Sequence, residues 1–197
     1  MENNFDNLAD SLADKAWAIS KNFLSNEILD ELLDDQKNNF SEGHFKQASI
    51  GKGSDKKIIS EIRNDFIFWM DEFQLSAPQK KYWDQMEELR KHLNRALFIG
   101  VNKLEAHHAI YPKNSFYKKH LDCFSNDDAR VISCVLYLNK DWKPSDGGYL
   151  RMYESEEKYT DIAPEYGTFV CFISNKIPHE VLISNENRHS ITAWFKR

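Results

Sequence analysis

The chain has 197 residues, of which 41% are hydrophobic and 29% charged; this length and composition fit a folded domain and exclude a disordered chain. Its 26 basic and 31 acidic side chains give a formal charge of −5, which argues against a surface that coats nucleic acid or an anionic membrane. No apolar run approaches the roughly 18 residues that a transmembrane helix needs.

The first hundred residues are predicted to be mainly helical. Ser25 or Asn26 can begin a helix, because either side chain can accept a hydrogen bond from a free backbone N–H of the first turn. Ser76, followed by Pro78 and Gln79, has the pattern of a capping box and predicts another helix. An earlier short amphipathic helix is predicted from apolar residues at helical spacing: Phe5, Leu8, Leu12 and Ala16.

From residue 104 onward, short extended runs alternate with turn residues. The predicted strands are Leu104–Tyr111, Phe116–Asp122, Val131–Leu138, Tyr149–Tyr153, Thr168–Ile173, His179–Ser184 and Ser190–Phe195. Strands of this number and spacing favour a sandwich or jelly roll. No repeat or linker divides the sequence. We therefore expect one domain over 1–197, with helical support over 1–100 and a β core over about 104–197.

Metal-ligand chemistry is first indicated by His120 and Asp122. In an extended run their side chains point to one face and can converge on one cation. His179 begins a later predicted strand and can supply a third ligand. Two histidines and one carboxylate on one face of a metal ion form the facial triad of non-heme iron oxygenases. Zinc also accepts this ligand set, so the residues alone leave a zinc hydrolase open.

A buried anion-binding group is indicated by Arg188. Its strand face also carries Ser190, Thr192 and Trp194, whereas the opposite face is apolar and belongs against the helices. A buried guanidinium needs an anionic partner, because leaving its charge unpaired costs several kcal/mol. No acidic residue shares this face, so we expect a ligand carboxylate as the partner, with the hydroxyl of Tyr137 as a second group that holds it.

Five ordered motifs within residues 60–197 resemble the prolyl hydroxylase branch of the 2-oxoglutarate/Fe(II) dioxygenases, including the HIF prolyl hydroxylases. They are Tyr111–Asp122, Arg130–Trp142, Gly147–Arg151, Pro178–Val181 and Arg188–Trp194. The resemblance implies an α+β, mainly β fold: a double-stranded β-helix (jelly roll, cupin-like) with N-terminal helices packed on one sheet. It implies Fe(II), 2-oxoglutarate and O2, with ascorbate as a further cofactor, and hydroxylation of a prolyl residue in a protein or peptide substrate.

The resemblance also assigns roles to individual residues. Arg130 matches a position near the substrate entrance, and Arg63 and Asp65 belong to a stretch at the edge of a substrate-covering loop. Asn64 stands where the family has glycine, which leaves the substrate choice open. The remaining assignments are the iron ligands His120, Asp122 and His179, the 2-oxoglutarate-binding Arg188 and Tyr137, and the pocket-lining Tyr111, Thr192 and Trp194.

Residues 43–60 are poor in apolar side chains and are predicted to form a mobile surface loop that can close over a peptide. Two alternatives to prolyl hydroxylation remain: a non-catalytic domain that senses 2-oxoglutarate or oxygen, and a hydroxylase of another substrate. Three cysteines without CxxC spacing and an acidic, polar N-terminus favour a cytoplasmic location. The sequence leaves the oligomeric state open.

Overall fold

The computed structural model describes residues 2–49, 57–123 and 129–197. Its helices are α1 (Glu2–Lys15), α2 (Asn26–Ser41) and α3 (Ala77–Leu97). Its strands are β1 (Trp17–Ser20), β2 (Lys46–Gln47), β3 (Phe66–Trp69), β4 (Lys103–Tyr111), β5 (Tyr117–His120), β6 (Arg130–Tyr137), β7 (Leu150–Tyr153), β8 (Tyr159–Ile162), β9 (Phe169–Ile173), β10 (His179–Val181) and β11 (Arg188–Lys196). The predicted loop over 43–60 lies partly outside the described residues, and β2 falls within its first part.

The helix starts follow from their caps. Ser25 Oγ accepts a hydrogen bond from Ile28 N at 3.4 Å and begins α2. Ser76 Oγ accepts one from Gln79 N at 3.4 Å, and Gln79 Oε1 accepts one from Ser76 N at 3.3 Å, so the predicted capping box of α3 is confirmed. Ala16 lies outside α1 with φ of 65°, a left-handed conformation that ends the helix. No helix in the described ranges is long and apolar enough to cross a membrane.

The strands form two antiparallel sheets. The wide sheet has seven strands in the order β1-β9-β6-β11-β4-β3-β2, and the narrow sheet has four in the order β5-β10-β7-β8. This arrangement confirms the jelly roll, and every strand predicted from the sequence is present with slightly different ends.

Four strands of the described residues were missed, and three of them lie within the first hundred residues, where no strand was predicted. β1, β2 and β3 have two to four residues each and lie at or next to the edges of the wide sheet. β8 has four residues and is the last strand of the narrow sheet. Segments this short carry too little alternation to be recognised, and they are extended because a longer neighbouring strand pairs with them.

The hydrophobic core has two layers, one on each face of the wide sheet. Residues of α1, α2 and α3 pack on one face, against side chains that include Ile191, Ala193 and Phe195 of β11. A smaller cluster lies between the two sheets and contains Tyr137, Leu150 and Phe172. The helices therefore cover the back of the wide sheet, and its front looks towards the narrow sheet across a space that is only partly filled by apolar residues.

Candidate metal centre and anion pocket

Two imidazoles and a carboxylate meet in the space between the sheets. His120 ends β5 and pairs directly with His179, the first residue of β10. Asp122 Oδ1 lies 3.5 Å from His120 Nε2, and Asp122 Oδ2 lies 3.7 Å from His179 Nε2. The three groups each offer a ligand atom, and these atoms all lie within 4.8 Å of one another. The cluster has the size and composition of a three-ligand metal site.

The route by which Asp122 reaches this cluster differs from the prediction. A strand running to Asp122 was expected to place it on the same face as His120. In the structure β5 ends at His120, and Asp122 lies in the bend that follows. Backbone turning, rather than strand alternation, therefore directs the carboxylate towards the two imidazoles.

The hydrogen bonds of the two rings determine which nitrogen faces the cluster. His120 Nδ1 donates to Lys118 O at 2.7 Å, and His179 Nδ1 donates to Ile177 O at 3.1 Å, because a carbonyl oxygen can only accept. A neutral ring bonded in this way presents the lone pair of Nε2 to the cluster. Burial lowers the pKa of His179 to about 4, against the opposing effect of Asp122. Burial raises the pKa of Asp122, but His179 and His120 bring it below its ordinary value.

Trp194 supports the carboxylate from the wide sheet. Its indole Nε1 donates to Asp122 Oδ2 at 2.9 Å. The guanidinium carbon of Arg130 lies 3.6 Å from the centroid of the Trp194 ring system, and Arg130 is bonded through two nitrogens to Glu105 Oε1 at 2.9 and 2.7 Å. A series of contacts thus runs from Glu105 through Arg130 and Trp194 to Asp122, and it joins the cavity wall to the metal-ligand cluster.

Arg188 is buried in the same cavity, with 2% of its surface exposed. Its Nε donates to Gly148 O at 2.9 Å and its Nη1 lies 3.5 Å from Ser190 Oγ. Its guanidinium carbon lies 5.0 Å from the ring centroid of Tyr111 and 4.8 Å from that of Tyr137. Within residues 2–49, 57–123 and 129–197, no carboxylate forms an ion pair with it. The fold therefore buries a cation that this part of the chain leaves without a counterion.

A buried hydroxyl group whose hydrogen-bonding capacity is unused lies beside Arg188. The Tyr137 hydroxyl is buried and has no hydrogen-bond partner in the described parts of the chain. Burial raises the pKa of Tyr137, and the charge of Arg188 opposes that rise. Gly148 leaves room for the aliphatic part of the Arg188 side chain, because a Cβ at position 148 would lie 2.8 Å from Ser184 Oγ and 3.1 Å from Arg188 Cδ. Its φ of 62° also favours glycine at this position.

These groups surround a cavity of about 320 Å³. Of the residues assigned from the sequence, Tyr137 and Asp65 are absent from its wall. Tyr137 stands beside Arg188, and Asp65 is fully buried behind Arg63. The assigned residues that line the cavity are His120, Asp122, His179, Arg188, Tyr111, Thr192, Trp194, Arg130 and Arg63.

Arg63 and Asp65 bind each other at the cavity edge. Arg63 Nε and Nη2 donate to the two carboxylate oxygens of Asp65 at 2.7 and 2.6 Å. The guanidinium carbon of Arg63 lies 4.3 Å from the Tyr117 ring centroid, and Tyr117 stacks on His120 with 3.6 Å between ring centroids. The segment before β3 is thereby packed against a member of the metal-ligand cluster.

Asn64 stands where the resemblance has glycine. Its Oδ1 accepts a hydrogen bond from Phe116 N at 2.9 Å, and its carbonyl oxygen accepts one from Ser115 Oγ at 3.4 Å. The added side chain therefore fastens this segment to the connection between β4 and β5.

The cavity wall also contains polar and aromatic side chains to which sequence reasoning gave no role, among them Glu105, His107 and Tyr117. His107 is buried and pairs with Thr192 in the register of β4 and β11. Burial lowers the pKa of His107 to about 4. The signal was present, because Glu105 and His107 lie an even number of positions before Tyr111 and so share its strand face.

Comparison with known proteins agrees with this geometry. Residues 106–196 match the 2OG-Fe(II) oxygenase superfamily. The chain is 36% identical to a Pseudomonas putida prolyl-4-hydroxylase of known structure, with a TM-score of 0.89 over 98% of each chain. A Trichoplax adhaerens prolyl hydroxylase, solved in complex with a hypoxia inducible factor peptide fragment, gives a TM-score of 0.88 at 27% identity, over 99% of this chain and 90% of that one.

Curated relatives include longer proteins. The hypoxia-inducible factor prolyl hydroxylase of Caenorhabditis elegans is 29% identical over 94% of this chain and 27% of its own length. Human Egl nine homolog 1 is 32% identical over 74% of this chain and 37% of its own length. This chain thus spans well under half of either relative. The fold and site define an oxygenase of the jelly-roll class. The chain belongs to the 2OG-Fe(II) oxygenase superfamily, and its similarity there is to the prolyl hydroxylases.

Proposed function

We propose that the protein is an Fe(II)- and 2-oxoglutarate-dependent dioxygenase that hydroxylates a prolyl residue of a protein or peptide, with release of succinate and CO2. The observation that carries this proposal is a buried arginine without a counterion beside three convergent metal-ligand groups. The prolyl substrate is supported by the Pseudomonas and Trichoplax relatives, which are both prolyl hydroxylases. A cytoplasmic location and a need for ascorbate stay predictions from the sequence.

The donor set fits Fe(II). Nδ1 of His120 and Nδ1 of His179 each donate to a backbone carbonyl, so Nε2 of each ring faces the Asp122 carboxylate. Three potential ligand atoms thus converge, an arrangement that a bound cation stabilises. When bound, Fe(II) with 2-oxoglutarate supplies O2 activation coupled to oxidative decarboxylation. The indole of Trp194 holds Oδ2 of Asp122 and so limits rotation of the carboxylate.

Arg188 and Tyr137 fit the distal carboxylate of 2-oxoglutarate. A guanidinium offers a planar pair of donors that matches a carboxylate, and the buried Tyr137 hydroxyl can donate a further hydrogen bond. Burial makes both interactions stronger than they would be in water. The carboxylate would in turn neutralise the charge that the fold leaves uncompensated.

The substrate would enter along the wall that carries Arg63 and Arg130. Arg63 forms an ion pair with Asp65, and Arg130 forms one with Glu105. These ion pairs fix the orientation of both guanidinium groups at the cavity wall. Trp69 is partly exposed at this wall and offers an apolar surface for a prolyl ring. We assign Arg63 and Arg130 to contacts with the peptide, and Asp65 to the orientation of Arg63.

The test measures two products of one reaction: the succinate released and the oxygen atom gained by the peptide. The purified protein is incubated with Fe(II), 2-oxoglutarate and proline-containing peptides, and succinate and peptide mass are followed. We expect succinate and the gain of one oxygen atom on proline. His179→Ala should abolish both. Arg188→Lys should raise the 2-oxoglutarate concentration needed more than about tenfold, because a point charge replaces a two-pronged donor. His92→Ala, at a histidine of α3 that does not line the cavity, is the matched control and should retain activity.

Other outcomes separate the alternatives. Binding of 2-oxoglutarate without succinate formation from any peptide would indicate a sensor domain, and oxygen gained on another residue would change the substrate. Tightly held zinc with hydrolytic activity, or failure to bind either Fe(II) or 2-oxoglutarate, would exclude the dioxygenase.

A further inference from the structure

Gln36 is a polar side chain in the helix-facing core that the proposed chemistry does not use. It lies on α2, none of its surface is exposed, and it reaches the back of the wide sheet. A buried amide is costly unless both of its ends are bonded, so its partners indicate why the position is polar.

The amide of Gln36 joins two strands through their backbone. Its Nε2 donates to Ser190 O at 3.0 Å and to Ala109 O at 3.4 Å, and it lies 3.3 Å from His108 Nδ1. Its Oε1 lies 2.7 Å from His189 Nδ1. Ser190 and Ala109 are opposed in the register of β11 and β4, so one side chain spans the pairing of these strands.

The direction of each hydrogen bond follows from the two carbonyls. They can only accept, so the NH2 group of Gln36 must face them and its oxygen must face His189. His189 Nδ1 is then a donor. On the other side of the His108 ring, Nε2 lies 3.3 Å from Asp35 Oδ2. Burial lowers the pKa of His189 to about 4, so at neutral pH this ring carries a single proton, on Nδ1.

The Gln36 amide and the two carbonyls that it binds lie directly behind Arg188. Ser190 contributes its carbonyl to Gln36 on one side and its Oγ to Arg188 on the other, at 3.0 and 3.5 Å. Pairing of β11 with β6 begins only at Ser190, and the N–H of His189 is bonded instead to the Asn139 side chain at 2.6 Å. The first residues of β11 are thus paired with β4 from Arg188 onward, and His189 O also accepts a hydrogen bond from Leu138 N at 3.1 Å. The side-chain amides of Asn139 and Gln36 add to these backbone bonds at the point where the guanidinium is attached.

We propose that Gln36 is a positioning residue for Arg188, which fixes the start of β11 from the helix side and thereby sets the affinity for a dicarboxylate co-substrate. This inference rests on the proposed function, because Arg188 is taken there to bind 2-oxoglutarate. Gln36 touches neither the cavity nor the metal-ligand groups, and its effect passes through Ser190.

The first measurement is the dissociation constant of 2-oxoglutarate for the Mn(II)-loaded protein without O2, by calorimetry. Gln36→Met keeps the length of the side chain and removes its hydrogen bonds, and we expect the dissociation constant to rise roughly fivefold. Gln36→Glu keeps an acceptor for His189 but turns an oxygen towards two carbonyls, so its rise should be larger. The second measurement is nitrogen NMR of the wild type, in which His189 should be protonated on Nδ1.

Leu32→Ala is the matched control, because Leu32 is fully buried on the same helix and its apolar side chain cannot form a hydrogen bond with these carbonyls. It should lower the free energy of unfolding and leave the dissociation constant unchanged. An unchanged constant in Gln36→Met, an equal rise in Leu32→Ala, or a His189 protonated on Nε2 would overturn the positioning role. A wild type that does not bind 2-oxoglutarate would instead overturn the proposed function, and the NMR result would still test the direction of the hydrogen bonds.

Discussion

Both faces of β11 carry fully buried side chains, but the faces differ in whether the fold supplies partners for the polar groups on them. Ile191, Ala193 and Phe195 pack on the helices with no exposed surface. On the opposite face, Arg188 is 2% exposed and holds a charge with no carboxylate partner among the described residues. Burial alone therefore does not distinguish core from site. A polar group whose requirements the fold does not meet indicates where a ligand belongs.

His189 shows that polarity alone is not sufficient either. It lies on the helix-facing side of the same strand, and its Nδ1 is bonded to Gln36. It is thus a polar residue with a structural partner, unlike Arg188 on the other face. The difference between the faces can be tested by changing one member of each.

The largest effect is expected on the helix-facing side. Phe195→Ala removes a fully buried ring from the main core and should lower the free energy of unfolding by about 4 kcal/mol. Affinity for 2-oxoglutarate should change little, because the ring does not line the cavity. Urea unfolding and calorimetry of the folded variant measure the two quantities. Comparable loss of affinity would mean that the faces are not independent.

An intermediate effect is expected from the titration of His189. Burial lowers its pKa from 6.5 to about 4, so the unfolded state binds more protons between these values. The free energy of unfolding should therefore fall as the pH decreases from 6.5 to 4, by on the order of 2 kcal/mol from this ring. His107 and His179 titrate in the same window, so the contribution of His189 is the difference between the wild type and His189→Gln. Parallel curves for the two proteins would contradict the assignment.

The smallest effect is expected on the cavity side and has the opposite sign. Arg188→Met removes a buried charge that lacks a counterion, so the metal-free, ligand-free protein should gain about 1 kcal/mol of unfolding free energy. The same variant should lose 2-oxoglutarate binding. Urea unfolding with and without 2-oxoglutarate measures both effects. A loss of stability as large as that of Phe195→Ala would show that Arg188 serves the fold.

Local chemistry explains what the sequence could predict. The capping box at Ser76 lies within four residues, and the polar and apolar faces of β11 follow from alternation. The same alternation, counted back from Tyr111, would have placed His107 and Glu105 in the cavity.

Features that depend on distant partners could not be predicted. β1 and β3 are extended because they pair with β9 and β4, which are far away in the chain. The convergence of Asp122 depends on a bend after β5, and no pattern in the sequence specifies the direction of that bend. The role of Gln36 is equally hidden, since its partners Ser190 and Ala109 come from two separate strands.

The pairing of the wide sheet has a practical consequence for anyone who wishes to produce a shorter form of this chain. The segment that matches the superfamily begins at residue 106, yet both lateral borders of the wide sheet are built by β1, β2 and β3, which precede it. A fragment cut to the matched residues would leave hydrogen-bonding edges bare and the helix-facing surface uncovered, which invites aggregation. The smallest portable unit is accordingly much longer than the recognisable signature.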